Sequence, residues 1–315
     1  MKLQQLRYLV EVARSGLNVS QAAENLHTSQ PGVSKQIRLL EEELGLDVFV
    51  RNGKRVVSIT EPGQRILEIA QRVLLEAKNL REAGREFSSQ HTGSLTIATT
   101  HTQARYVLPT VIERFARLYP QVKLVLHQGN PTHVAQEVVA GGADLAIATE
   151  GMDAFSDLRI LPCYEWNRSV VLPCGHPLLS ASELTLPLLA SFPLITYDYA
   201  FTGRSKINQS FEQAGLTPNV VLTALDSDVI KTYVELGMGV GIIASMAFDP
   251  VRDQKLRVRD ASHLFAPSTT RVGLRRGAYV RRYTFDFIEM FAPQLTREVV
   301  QAALQGPEEQ EAPGE

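Results

Sequence analysis

The chain has 315 residues, enough for two or three domains with a sizeable buried core, which excludes a single small module. A formal net charge of −2 excludes a globally basic nucleic-acid binder, so any such activity is confined to one domain. The two cysteines, Cys163 and Cys174, lack a Cys-x-x-Cys or histidine-rich pattern, which argues against a disulfide scaffold or a metal site.

Leu3, Leu6, Leu9, Val10 and Ala13 recur at helical spacing and form the expected inward stripe of a first helix. This stretch carries charges throughout, and no run attains the ~18 apolar residues of a membrane span, so a soluble cytoplasmic protein with no membrane partner is expected. Two further helices follow over 18–45, joined by a tight turn. The first has Val19, Ala22, Ala23 and Leu26 on its apolar face, and the second has Val33, Ile37, Leu40 and Leu44. Ser29 is the expected N-cap of the second, Pro31 falls in its first turn, where a missing N–H costs nothing, and Gly45 stops it. Gln30, Pro31, Ser34, Lys35 and Arg38 then lie on an outward face near the helix start. That is a helix-turn-helix whose amide and guanidinium groups suit base edges in a major groove. The plain alternative is a helical hairpin with a solvated charged face.

Two β-prone runs, 47–51 and 54–59, flank Asn52-Gly53, which predicts a type I′ hairpin, or wing, with Lys54 and Arg55 at its tip for phosphates. Thr60 caps a long helix running to about residue 88. Ile66, Val73, Leu80 and Phe87 fall seven apart there with Ala70, Ala77 and Gly84 between them, the order of a coiled-coil seam, and a second copy of the chain is its expected partner.

After a polar stretch at 88–93 the pattern changes to a strand over 94–100, a helix to 119, a strand over 123–128, a helix to about 141 and a strand over 144–149. This order predicts a parallel sheet with helices on both faces. A second set follows, with strands near 169–172, 194–197, 220–223 and 240–244 and helices near 204–214 and 228–236. A last strand and helix, 270–274 and 279–291, are expected to return to the first half. Two α/β lobes then bracket a cleft for a small ligand. Thr100, Thr102 and Gln103 sit where the first strand meets its helix, Thr149 ends another strand, and Thr202 precedes a helix of the second lobe. Strand ends and a helix N-terminus there offer neutral donors suited to a small carboxylate or oxyanion, although each threonine has helix capping as an alternative role. Cys163 and Cys174 are expected to be small buried hydrophobes. Gly237-Met238-Gly239-Val240-Gly241 precedes a strand and lacks the full dinucleotide-loop spacing, so a tight turn is expected. His101 has no nucleophile or carboxylate fixed beside it by spacing, and no enzymatic role is expected.

The segments AAENLHTSQPGVSKQIRLLEEELG, MKLQQLRYLVEV, IATTHTQARYVLP, DLAIATE, CYEWNRSVVL, FTGRS, AGLTP, SDVIKTYVELGMGVGIIASMA and FDFIEMFAP together resemble the LysR-type transcriptional regulators, and most closely their CysB subgroup. The likeness spans nearly the whole chain to about residue 300. It implies an α/β protein with an N-terminal winged helix-turn-helix (1–59), a linker and dimerisation helix (60–88), and a two-lobed effector domain of periplasmic-binding-protein type (89–305). Lobe I would cover about 93–162 and 269–300 and lobe II about 163–268; the tail over 306–315, rich in Pro, Gly and Glu and without a counterpart in the family, is expected from composition to be disordered. It also implies double-stranded promoter DNA and a homodimer or homotetramer as partners, RNA polymerase as a candidate partner, and activation of cysteine-biosynthesis and sulfur-assimilation genes. No cofactor is implied beyond a small effector, acetylserine or a sulfate-like anion. By motif the effector positions are Thr100, Thr102, Gln103, Thr149 and Thr202, with Trp166 a further candidate. The alternative kept open is a relative governing sulfate-starvation or organosulfur genes and sensing sulfate, thiosulfate or adenylylated sulfate.

Overall fold

A computed structural model describes residues 1–53, 55–88, 92–199 and 203–306, and the chain divides into two compact units after Ser88. Lys54, Thr202 and residues 307–315, on which three expectations fell, lie outside the described residues.

The first unit contains α1 (Leu3–Arg14), α2 (Val19–Asn25), α3 (Gln30–Leu44), strands β1 (Phe49–Asn52) and β2 (Arg55–Ile59), and α4 (Glu61–Ser88). Caps set the helix boundaries: the Asn18 side chain accepts from the Ser20 and Gln21 amides, Ser29 accepts from the Gly32 amide, and Gly45 ends α3 at φ 70°. Leu6, Leu9, Val10, Ala22, Ala23, Val33, Ile37 and Leu40 make one buried core with Val48, Phe49 and Val56 of the hairpin. Leu3, expected inward, is 40% exposed, and Gln5, Tyr8 and Val12 are buried in its stead. The inward face of α1 is therefore rotated from the one the apolar residues alone suggest. In the wing, Asn52 pairs with Arg55, so Asn52 belongs to the strand and the connection begins at Gly53, φ +63°, one residue later than predicted. A register shift between Val50 and Arg51 moves the turn.

Helix α4 divides its seam in two. Ile66, Leu67, Ala70, Val73 and Leu74 pack on the core of this unit, whereas Leu80 and Phe87 are 76% and 88% exposed. Only the far half of the seam is open to a second copy.

The second unit holds two five-stranded sheets. The first has the order β4 (Val122–Gln128), β3 (Gly93–Thr99), β5 (Leu145–Ala148), β12 (Ser268–Arg275), β6 (Leu158–Trp166). β3 runs parallel to β4 and β5, while β12 is antiparallel to β5 and β6. Alternate residues serve opposite faces. Leu95, Ile97, Leu145 and Ile147 pack with α5 (Leu108–Leu118) and α10 (Arg282–Phe291), while Ala98, Ala146 and Ala148 pack with α6 (Pro131–Ala140). A short helix, α11 (Arg297–Gln305), adds Val300 to the first of these cores.

The second sheet has the order β11 (Leu256–Asp260), β7 (Arg168–Pro173), β10 (Val240–Ala244), β8 (Leu194–Tyr197), β9 (Val220–Ala224). α8 (Arg204–Gln213) and α7 (Leu186–Ala190) cover one face through Ile207, Phe211 and Leu189, and α9 (Ser227–Glu235) covers the other through Ile230 and Val234. Both sheets are mixed, not purely parallel as expected, because strands β6, β7, β11 and β12 form the crossovers between lobes. The sequence reading did not include β6, β11, α7 or α11. The expected return of the last strand does occur, since β12 inserts between β5 and β6. The glycine cluster is a packing device: added Cβ atoms would lie 2.4 Å from the Pro193 carbonyl at Gly239 and 2.6 Å from Val171 at Gly241.

Candidate functional site

In the first unit, α3 offers Pro31, Lys35 and Arg38 exposed, with Gln30 and Ser34 half-buried beside them. Gln30 Nε2 donates to Ser34 Oγ at 3.0 Å, which fixes both side chains on one face one helical turn apart. Exposed Arg55 shares a shallow groove with Gln30 and with residues 16–20, so the start of the recognition helix and the wing meet there. Glu41, which the sequence offered only as one more acid, is buried. Its carboxylate accepts from the Val48 and Phe49 amides at 2.9 and 3.1 Å and pairs with Arg51 at 2.6 Å, fastening the wing to α3.

In the second unit, Thr100, Thr102, Gln103, Thr149 and Trp166 line one pocket with His101, Tyr197 and Leu225, enclosing about 390 Å³ including its open mouth. The pocket lies at the C-terminal ends of β3, β5, β6 and β8, where the chain leaves the sheets. The helical segment after Thr100 begins with a π-helical turn, Gln103–Val107, in place of the regular α-helix expected. Gln103 is almost fully buried. It donates to Thr270 Oγ1 at 3.1 Å and accepts from Tyr164 OH at 2.5 Å, which leaves one N–H for a ligand. Thr149 Oγ1 and Trp166 Nε1 are buried polar atoms with no hydrogen-bond partner. Burying such atoms unpaired is costly, and both residues line the pocket.

The walls of this pocket are held by charges that spacing did not disclose. Asp228, on α9 of lobe II, accepts from Tyr106 OH at 2.7 Å, lies 3.1 Å from His101 Nε2 and 3.5 Å from Arg105 Nε of lobe I, and has Lys231 at 3.4 Å. Burial raises its pKa, but the bonds from Tyr106, His101 and Lys231 outweigh that and hold the carboxyl below its ordinary value. Next in the chain to Thr149, Glu150 pairs with Lys206 at 2.9 Å. Burial again opposes ionisation, and the Lys206 ammonium beside the carboxylate outweighs it, so this pKa is also lowered. Arg168, at the crossover after Asn167, is fully buried, with its guanidinium carbon 5.2 Å from the Trp166 ring centre. Burial lowers its pKa and the nearby Glu150 carboxylate raises it again. The neutral cleft expected from the sequence thus has a buried cation behind it. Cys163 is half-buried and burial pushes its thiol up to about 12, so it is held as a thiol; Cys174, expected inside, is exposed.

A winged helix-turn-helix unit and a two-lobed unit with a polar cleft define a ligand-responsive DNA-binding regulator. Comparison with known families agrees. Residues 3–64 match the model of the bacterial regulatory helix-turn-helix protein, lysR family, and residues 88–296 match the LysR substrate binding domain. The chain is 54% identical over 295 residues to the HTH-type transcriptional regulator SsuR of Burkholderia cenocepacia, covering 94% of this chain and 96% of that protein. It is 50% identical over 306 residues to the HTH-type transcriptional regulator CysB of the same organism, covering 97% and 98%. Among solved structures it is similar to the cofactor-binding domain of the Cbl transcriptional regulator, at 42% identity and a TM-score of 0.66, over 69% of this chain and 95% of that one. The chain therefore belongs to the LysR family of transcriptional regulators. Among the described residues, no helix is long and apolar enough to cross a membrane.

Proposed function

We propose that this regulator activates genes of cysteine biosynthesis and sulfur assimilation, and that N-acetylserine or O-acetylserine controls it by binding at Thr100, Thr102, Gln103, Thr149, Trp166 and Thr202. The observation that carries the effector site is the pair of buried donors without acceptors, Thr149 Oγ1 and Trp166 Nε1, in a pocket opened by a helix start. Likeness to regulators named CysB supports the choice of regulon. Promoter DNA is read by Gln30, Pro31, Ser34, Lys35 and Arg38, with Arg55 and Lys54 on phosphates, in a homodimer or homotetramer that presents two recognition helices to half-sites. RNA polymerase is the partner through which activation would act.

A second reading is favoured by the buried guanidinium behind the pocket: an inorganic sulfur anion such as sulfate, thiosulfate or adenylylated sulfate as the signal, and sulfate-starvation or organosulfur genes as targets. Calorimetric titration of all five compounds separates the two. Thr149→Val is the informative variant, because it removes a hydroxyl that bonds nothing in the free protein. It should leave thermal stability unchanged and weaken the true effector roughly tenfold. Unchanged affinity would remove Thr149 from the site. For the DNA face, Ser34→Ala should weaken binding to a selected operator, and full affinity in a gel-shift titration would refute that assignment.

A further inference from the structure

Arg168 opens β7 with no exposed surface, and a guanidinium keeps its charge in proteins. Its Nη1 donates to the Ala266 carbonyl and its Nη2 to Ser268 Oγ, each at 2.8 Å, and both acceptors are neutral. Its Nε has no partner. The carboxylate whose charge acts on it, Glu150, lies beyond ion-pair distance and is paired with Lys206 at 2.9 Å. Among the described residues no carboxylate pairs with the Arg168 guanidinium, so its buried positive charge is left uncompensated, which is costly unless an anion completes the set. Asp228, by contrast, is matched by Arg105, while Lys231 is shared between Asp228 and Asp253.

The charge is close to the pocket. Trp166, a lining residue, lies against the guanidinium with its own Nε1 unpartnered. Gly203, at φ +96°, approaches so closely that a Cβ there would lie 2.7 Å from Arg168 Nη2. Resting on the effector-pocket reading above, we infer that Arg168 determines specificity by charge: from behind Trp166 and Gly203 it selects effectors of net negative charge over neutral ones of the same size. It touches no pocket surface, so it acts as a positioning and field-setting residue.

N-acetylserine and O-acetylserine are isomers of equal size. At pH 6.5 the first is an anion and the second a zwitterion, so the ratio of their affinities reads charge selection and is insensitive to general damage. Calorimetry on the full chain should show wild type favouring the N-isomer, by on the order of tenfold for one charge at partly buried separations. Arg168→Met should collapse the ratio and Arg168→Lys restore it, whereas Glu150→Gln, which removes the opposing charge, should widen it. Glu150→Gln carries the test alone if the methionine variant does not fold. A ratio unmoved by Arg168→Met or Glu150→Gln overturns the inference and leaves the effector pocket standing. Binding of neither isomer to wild type overturns the acetylserine reading and this inference together.

Discussion

Glu41 shows how much one buried carboxylate can organise. It satisfies the buried Val48 and Phe49 amides, which would otherwise lack a partner, and the half-buried Arg51 guanidinium at the junction of α3 and the wing. Glu41→Ala should therefore cost about 3 kcal/mol, because it strands two buried amides and removes the partner of Arg51. Glu41→Gln keeps the shape and one acceptor and should cost less. Urea denaturation of the two variants checks this order, and equal losses would refute the argument. Gly63 is a second such position. A Cβ there would lie 2.2 Å from the Val48 carbonyl oxygen, backbone that cannot swing aside. In an open helix glycine-to-alanine gains about 1 kcal/mol; Gly63→Ala should destabilise instead. Gly84, on the same helix, has no atom within 4 Å of its would-be Cβ, so Gly84→Ala should raise helicity in circular dichroism.

At the scale of elements, the far half of α4 is the open question that the fold poses. Leu80 and Phe87 continue the spacing of Ile66 and Val73 yet face solvent, and a long apolar seam stays exposed only when another chain covers it. Leu80→Glu with Phe87→Glu should leave the monomer folded, since neither side chain is in its core, and shift light-scattering mass toward the monomer. Unchanged mass would assign assembly to another surface. The seam was expected to meet a second copy throughout, but one heptad pattern serves an intramolecular core as well as a partner, and its first half packs on its own unit. The helix-turn-helix was legible for a different reason: the cap at Ser29 and the stop at Gly45 mark the bounds of α3 locally. The pocket threonines were legible because strand ends and helix starts are local signals too. Arg168, Glu150 and Asp228 were not, since what makes them matter is burial and partners more than 50 residues away, such as Lys206 for Glu150 and Tyr106 for Asp228. Strand β6 escaped because Leu158–Trp166 mixes proline and charges into a pattern that only pairing with β12 resolves.

At the scale of the effector unit, two carboxylates join the lobes. Asp228 reaches from α9 to His101, Arg105 and Tyr106, and Glu150 reaches from the end of β5 to Lys206 on α8. An effector changes DNA binding only by favouring one arrangement of the protein over another, so bonds that cross the cleft set the balance it acts on. Both carboxyls have pKa values lowered by folding. A group depressed in the folded state stabilises it fully above the unfolded value, near 4, and that contribution is lost as pH falls through the depressed folded value. Scanning calorimetry should then find the unfolding temperature flat from pH 7 to about 5 and falling below about 4. Asp228→Asn with Glu150→Gln removes both titrating groups, so the double variant should begin less stable at neutral pH and lose less on acidification. The two curves should converge at low pH, where wild type has also lost its cross-cleft charges. Parallel curves at all pH values would mean that the acid sensitivity belongs to other carboxylates and that these two pairs do not hold the lobes.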